Sequence, residues 1–173
     1  MELTKDRLFF NVFSTLSVND DLRYSFEEVY VEHVVHKKDK NIMFVLTYSK
    51  EIIYYNEILK MEKELKRYLY NRYKCPIQII SRFETAKEYD AKKIVDLYYK
   101  KGLLDEWEKR NPIFYSVIHN GHYEFDDEGI LTLIVPGKSI SSIIDNDIIN
   151  EFKTTFNYRF DVELDIKLKY DGV

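Results

Sequence analysis

The residues best suited to metal or acid–base chemistry include two histidine pairs. His33 and His36 lie three positions apart in a strand-like run, so their side chains point to opposite faces and do not readily share an ion. His119 and His122 flank a glycine turn, but no nearby cysteine completes a zinc site of the usual spacing. We interpret all four as surface or packed histidines, and we predict no metal and no cofactor.

Three consecutive acidic residues, Asp126, Asp127 and Glu128, form the clearest carboxylate cluster. Polymerases and nucleases need carboxylates that converge on two metal ions from different elements, which neighbours in one turn do not do. The chain also lacks a phosphate-binding glycine loop. Its only cysteine, Cys75, has no identifiable base beside it. The sequence therefore contains no recognisable catalytic site, and whether the protein is an enzyme stays open.

Lysine residues form two candidate sites for nucleic acid or an acidic partner. The first is a tight turn that contains Lys37, Lys38 and Lys40. The second is a looser basic region that contains Lys92, Lys93, Lys100 and Lys101. Such lysines can contact a phosphate backbone without reading its sequence. The alternative is that they are polar only because turns and helix surfaces face solvent. The net charge of −4 argues against strong non-specific binding of nucleic acid.

The composition is that of a folded, soluble, cytoplasmic protein. Hydrophobic residues make up 45% and aromatic residues 16%, which is enough for a core, and charged residues make up 32%. The N-terminus has no signal-peptide pattern, and no apolar run reaches the roughly 18 residues of a membrane span. A single cysteine fits a reducing compartment. Most tyrosines fall on predicted helices, which favours core or protein-interface roles over stacking on nucleic acid.

In the first half of the chain, hydrophobic periodicity predicts a helix, a hairpin, a helix and a strand. The first helix starts near Thr4 and ends before Asn19. The hairpin spans residues 29–49 around the basic turn. A long helix over residues 52–70 and a strand over residues 77–83 follow.

The second half repeats this order after additional helices. A capping box at residues 85–88 predicts a helix to Lys101 that ends at Gly102. Short helices follow over residues 103–110 and from Pro112. Strands at residues 122–125 and 130–135 flank the acidic turn. A helix from Ser139, with Ile140 and Ile143 on its apolar side, leads into a strand over residues 160–170.

The order α-β-β-α-β therefore occurs twice. We predict an α+β fold of two small units, each a three-stranded sheet packed against helices. The predicted domains are residues 1–84 and 85–173, with the helix over residues 85–101 as the connector. The hairpin turns differ in charge, since one is basic and the other acidic, and we expect the basic turn to be the one that contacts DNA.

Four segments carry a family resemblance: EHVVHKKDKNIMFVLTYSKEIIYYNEI, KKIVDLYYKKGLLDEW, NPIFYSVIHNGHYEF and VELDIKLKY. Together with the order of elements, they resemble the N-terminal region of the PolC-type DNA polymerase III alpha subunit of low-GC Gram-positive bacteria. The resemblance covers nearly the whole chain, and it consists of patterns without catalytic signatures.

The resemblance implies two small domains, the second similar to a type II KH fold, at the start of a DNA-directed DNA polymerase (a nucleotidyltransferase) with 3′-5′ exonuclease activity. The catalytic modules do not fit in 173 residues, so the chain is expected to be a fragment cut at Val173. The GxxG loop by which KH domains bind nucleic acid is missing.

The implied function is non-catalytic: the region docks the polymerase to replisome proteins during DNA replication, with the clamp-loader tau subunit as a candidate partner. Weak contact with DNA through the basic turn is expected. Neither binding to a membrane nor a small-molecule substrate is expected. The alternative is a single-stranded nucleic-acid-binding module of the same polymerase.

Overall fold

The chain divides into two compact units, Met1–Thr85 and Ala86–Val173. The computed structural model describes residues 3–172. The predicted boundary, between residues 84 and 85, lies one residue earlier. Each unit contains one three-stranded sheet together with helices, which confirms the α+β fold. In the described part of the chain, no helix is long and apolar enough to cross a membrane.

The first unit opens with helical turns and then forms its sheet. In chain order its elements are a 3₁₀ turn Lys5–Arg7, α1 Phe9–Val12, α2 Asp20–Phe26, β1 Tyr30–Lys37, β2 Ile42–Ser49, α3 Tyr55–Leu69 and β3 Ile77–Phe83. The prediction of one helix from near Thr4 to just before Asn19 is wrong. Leu8 is extended because it pairs with Tyr30 in a β-bridge. Asn19 caps the start of α2, since its side chain accepts the Leu22 N–H.

The first sheet has the order β1-β2-β3, in which β1 and β2 are antiparallel and β2 and β3 are parallel. Parallel neighbours need a crossover connection, which α3 provides. Both outer edges are partly closed. Arg7 donates hydrogen bonds to the carbonyls of Val31 and Glu32 on β1, and Glu62 accepts the Ile79 N–H of β3 at 2.7 Å.

The first helix of the second unit begins later than predicted. Its elements are α4 Ala91–Tyr98, a π-helical segment Tyr99–Leu104, α5 Asp105–Arg110, α6 Pro112–Ile118, β4 His122–Phe125, β5 Ile130–Val135, α7 Ser142–Phe160 and β6 Asp165–Tyr170. The prediction of a capping box that starts at Thr85 is wrong, because the Asp90 side chain caps α4 by accepting the Lys93 N–H. The predicted connector helix over residues 85–101 therefore starts at Ala91.

The prediction that Gly102 ends a helix is wrong. Gly102 lies buried in the π-helical segment that leads into α5. A Cβ atom at this position would lie 2.3 Å from Cε1 of Tyr98. Glycine is needed here because the helix backbone packs directly against the Tyr98 ring. A π-helical segment is rare and here marks that close approach.

The last helix and strand are both shorter at their starts than predicted. Ser141, not Ser139, caps α7 by accepting the Ile143 N–H. Ile140 and Ile143 are 85% and 71% exposed, so they do not belong to the buried side of the helix. Strand β6 starts at Asp165 because α7 continues to Phe160 and ends in the left-handed conformation of Asp161, with φ of 54°.

The second sheet repeats the topology of the first. Its order is β4-β5-β6, with β4 and β5 antiparallel and β5 and β6 parallel, and α7 makes the crossover. The core of the unit forms between this sheet and the helices. Its largest fully buried side chains are Trp107, Phe152, Phe156, Leu103, Ile118, Leu131 and Leu133.

A buried ionic network ties α7 to α5 within this unit. Arg159 is 8% exposed and binds Glu106 through both carboxylate oxygens, at 2.8 and 2.9 Å. It also donates a hydrogen bond to the Tyr98 hydroxyl. Arg110 lies 3.6 Å from Glu106. Burial raises the pKa of Tyr98 despite the opposing effect of the arginine charge, so Tyr98 stays neutral and can accept.

Two adjacent buried tyrosines allow a matched stability test. The Tyr99 hydroxyl is buried without a hydrogen-bond partner among residues 3–172, and burial raises the pKa of Tyr99 to about 12. Tyr99→Phe should raise the free energy of unfolding by about 1 kcal/mol, because it removes an unsatisfied polar group. Tyr98→Phe should lower it by about 1–2 kcal/mol, because Arg159 loses an acceptor. Urea denaturation measures both changes, and equal effects would contradict this assignment.

The Arg159–Glu106 pair should contribute far more to stability than a surface pair. Glu106→Gln should lower the free energy of unfolding by about 3–5 kcal/mol, because the buried guanidinium loses its counter-charge. The control is Glu64→Gln, which breaks an exposed pair with Arg67 and should change stability by less than about 0.5 kcal/mol. Thermal and urea unfolding of both variants would measure the difference, and a Glu106→Gln loss below 1 kcal/mol would refute the network's role.

Candidate interaction surfaces

The predicted basic turn lies beside a second basic segment. Because β2 and β3 are parallel, the turn before β2 and the loop before β3 lie at the same end of the first sheet. The Met43 N–H donates to the Pro76 carbonyl at 3.0 Å. The rings of His36 and Tyr73 pack edge to face, with their centroids 6.3 Å apart. We call residues 36–41 and 70–76 together the basic end.

The basic end combines exposed cations with exposed aromatic rings. Its cationic residues are Lys37, Lys38, Lys40, Arg72 and Lys74, all exposed. Asp39 is its only acidic residue. Tyr70 and Tyr73 are 55% and 42% exposed. Within residues 3–172, no ion pair neutralises Lys37, Lys38 or Lys40, so their charges are available to a ligand.

The equivalent end of the second sheet is acidic. The turn before β5 and the connection into β6 lie together there, since β5 and β6 are also parallel. Their acidic residues are Asp126, Asp127, Glu128, Asp161, Glu163 and Asp165, all exposed. Asp126 closes its turn by accepting the N–H groups of Glu128 and Ile130, each at 2.9 Å. The same topology therefore carries opposite charge at the same end in the two units.

The second predicted basic region consists of two lysine pairs along one helical stretch. Lys92 and Lys93 lie in the first turn of α4, whereas Lys100 and Lys101 lie in the π-helical segment. All four are exposed. The two pairs are separated by about 12 Å of helix at 1.5 Å per residue. The Lys93 ammonium lies 6.0 Å from the Tyr89 ring centroid. The structure thus places the two lysine pairs about two helical turns apart.

The two sheets also differ in their outer faces, the faces opposite the buried core residues of β2 and β5. Directly paired residues share a face, which assigns each strand residue. The outer face of the first sheet contains Tyr30, His33, Val35, Lys37, Ile42, Phe44, Leu46, Tyr48, Gln78, Ile80 and Arg82, all partly or fully exposed. We call it the apolar outer face, because its centre is apolar and its charged residues, Lys37 and Arg82, lie toward its ends. By contrast, the outer face of the second sheet contains His122, Glu124, Ile130, Thr132, Ile134, Asp165, Lys167 and Lys169.

An ion pair borders the apolar outer face. Arg82 binds Glu32 through two nitrogens, at 2.7 and 2.9 Å, and its guanidinium lies 5.5 Å from the Tyr48 ring centroid. The Tyr48 hydroxyl donates to Glu84 at 3.1 Å. Burial and the Glu84 carboxylate raise the pKa of Tyr48, so its hydroxyl remains a donor. This face thus has an apolar centre and a polar, partly charged border.

Sequence reasoning missed half of the basic end. The stretch between the predicted helix over residues 52–70 and the predicted strand over residues 77–83 has no predicted role. The signal was present in the alternation of tyrosine with Arg72 and Lys74. It pointed to a surface only once the parallel pairing placed this segment next to the basic turn.

No protein-family model matches this sequence, and no curated protein is significantly similar to it. The resemblance to a polymerase N-terminal region therefore stays a prediction. In the described part of the chain, no group of three or more His, Cys, Asp or Glu residues is arranged to hold a metal ion.

Substitution of two adjacent residues of β2 tests which face of the first sheet is exposed to solvent. Phe44 is partly exposed on the outer face, whereas Val45 is fully buried. Phe44→Lys should leave the protein folded and cost about 1–2 kcal/mol of lost apolar burial. Val45→Lys should prevent stable folding, because it places a charge in the core. Circular dichroism and thermal unfolding of both variants check this, and a folded Val45→Lys variant would disprove the register.

Proposed function

We propose that this chain is a non-catalytic interaction region that docks a bacterial replicative DNA polymerase of the PolC type to replisome proteins in the cytoplasm. Two arguments support the proposal. The first is the resemblance of its segments to the N-terminal region of that polymerase. The second, which carries the proposal, is the contrast between the apolar outer face of the first sheet and the charged outer face of the second.

The physical reason is the cost of leaving apolar surface in water. Each square ångström of apolar surface removed from water contributes about 25 cal/mol, so a partner that covers this face gains free energy without new charges. Its aromatic residues, Phe44 and Tyr48, are of the type enriched at the centres of protein interfaces. The Glu32–Arg82 pair borders the face, as polar residues border most interfaces.

The proposal predicts direct binding to a replisome protein through this face. The candidate partner is the clamp-loader tau subunit of a low-GC Gram-positive bacterium. Calorimetric titration of purified tau with this chain should show binding, and Phe44→Lys should weaken it at least tenfold, because a buried lysine loses its hydration. The matched control is Thr132→Lys, at the corresponding position of β5 on the charged outer face, which should leave the affinity unchanged.

Two results would overturn the proposal. The first is the absence of binding to tau and to the other purified clamp-loader and clamp proteins at micromolar concentration. The second is nucleotidyl transfer by the purified chain that disappears on addition of EDTA, since the proposal assigns no catalysis to this region. Equal weakening by Phe44→Lys and Thr132→Lys would place the interface elsewhere.

A further inference from the structure

We infer that the basic end of the first unit binds single-stranded nucleic acid, with its cations on the phosphates and Tyr73 stacked on a base. This goes beyond docking and does not depend on it, because the residues other than Lys37 lie in the turn and the loop at the end of the sheet and not on its apolar outer face. The observation that carries it is the joining of two sequence-distant segments, residues 36–41 and 70–76, through the parallel pairing of β2 and β3.

The placement of the charges suits one strand of nucleic acid. The turn and the loop extend from neighbouring strands, which lie about 4.8 Å apart, so the cations of both segments can contact one stretch of phosphate backbone. Five cations and one carboxylate in the two segments leave a local excess of positive charge, on a chain whose net charge is −4.

The aromatic residues distinguish nucleic acid from an acidic protein. Proteins that bind single strands without sequence preference combine a cationic surface with exposed aromatic rings on which bases stack. Tyr73 is 42% exposed and is positioned by its edge contact with His36. Lys74 lies 5.7 Å from the Tyr70 ring centroid, so a cation accompanies that ring. An acidic peptide would use the cations but would leave these rings without partners.

The acidic end of the second unit is an internal comparison for this charge. The two ends share one topology and carry opposite charge. The acidic end repels a phosphate backbone, so binding should depend on the basic end alone. This makes the charge reversal of a few lysines a sharp test.

The first experiment measures charge dependence by fluorescence anisotropy, with a labelled 12-nucleotide oligothymidylate and the full chain. Binding should weaken with salt, with a log–log slope no steeper than about −3.5, from five cations at about 0.7 each. Lys38→Glu combined with Lys40→Glu should reduce the affinity at least tenfold. The control, Lys92→Glu combined with Lys93→Glu, makes the same change in net charge on the other basic region and should have little effect.

The second experiment tests stacking. Tyr73→Ala should weaken oligothymidylate binding about fivefold or more, because stacking on an aromatic ring contributes to each bound base. The same variant should bind an abasic oligonucleotide as the wild type does. The control is Tyr24→Ala, which removes an 81% exposed tyrosine from α2 and should change neither affinity.

Several outcomes would overturn the inference. These are no binding at low salt, equal loss from the two lysine pairs, or a double-stranded oligonucleotide that binds as tightly as the single strand. Tighter binding of an oligoglutamate peptide would assign the basic end to an acidic protein segment. Self-association that the Lys38→Glu, Lys40→Glu variant abolishes would assign it to the acidic end of a second copy. None of these measurements involves tau, so the docking proposal can fail independently.

Discussion

Parallel pairing of the second and third strands is the constraint on which the rest of each unit depends. A parallel neighbour cannot be reached by a tight turn, so α3 in the first unit and α7 in the second must cross between the strands. The crossover is right-handed in nearly all proteins, which confines the helix to one face of the sheet. One face therefore becomes core, and the other is left for solvent or a partner.

The same pairing decides which loops meet. The strands that run in parallel start at the same end, so the hairpin turn and the helix-to-strand connection lie side by side in each unit. In the first unit this joins Lys38 and Lys40 to Arg72 and Lys74. In the second it joins Asp126 to Asp161. The shared topology thus creates an equivalent end in each unit, and the residues at the two ends differ in charge. The outer faces of the two sheets likewise differ in polarity.

Polar groups inside the units serve to hold elements together. Glu62 satisfies an edge N–H of β3, and Arg7 does the same for two carbonyls of β1. Arg159 is buried with Glu106 and the Tyr98 hydroxyl, an arrangement in which removal of one partner costs more than the pair contributes. The Tyr98 ring in turn requires glycine at position 102. These contacts explain charged and glycine residues that have no part in the surfaces.

The sequence by itself determined the fold class, the repeated order of elements and both hairpins, since strands at residues 77–83, 122–125 and 130–135 were predicted as observed. These features depend on periodicity and turn chemistry, which are local. It also located the basic turn. Helix starts at Ala91 and Ser142 were missed, because several polar residues nearby could cap and only backbone geometry selects one.

Only the tertiary structure decided what the surfaces are. Lys38 and Arg72 are more than thirty residues apart, and strand pairing brings their segments together. The exposure of Ile143 and the burial of Arg159 depend on which side of α7 faces the sheet, and residue type alone favours the opposite assignment. The opposite charges of the two ends were visible in the turns, but their full extent depends on long-range contacts that a single sequence does not specify.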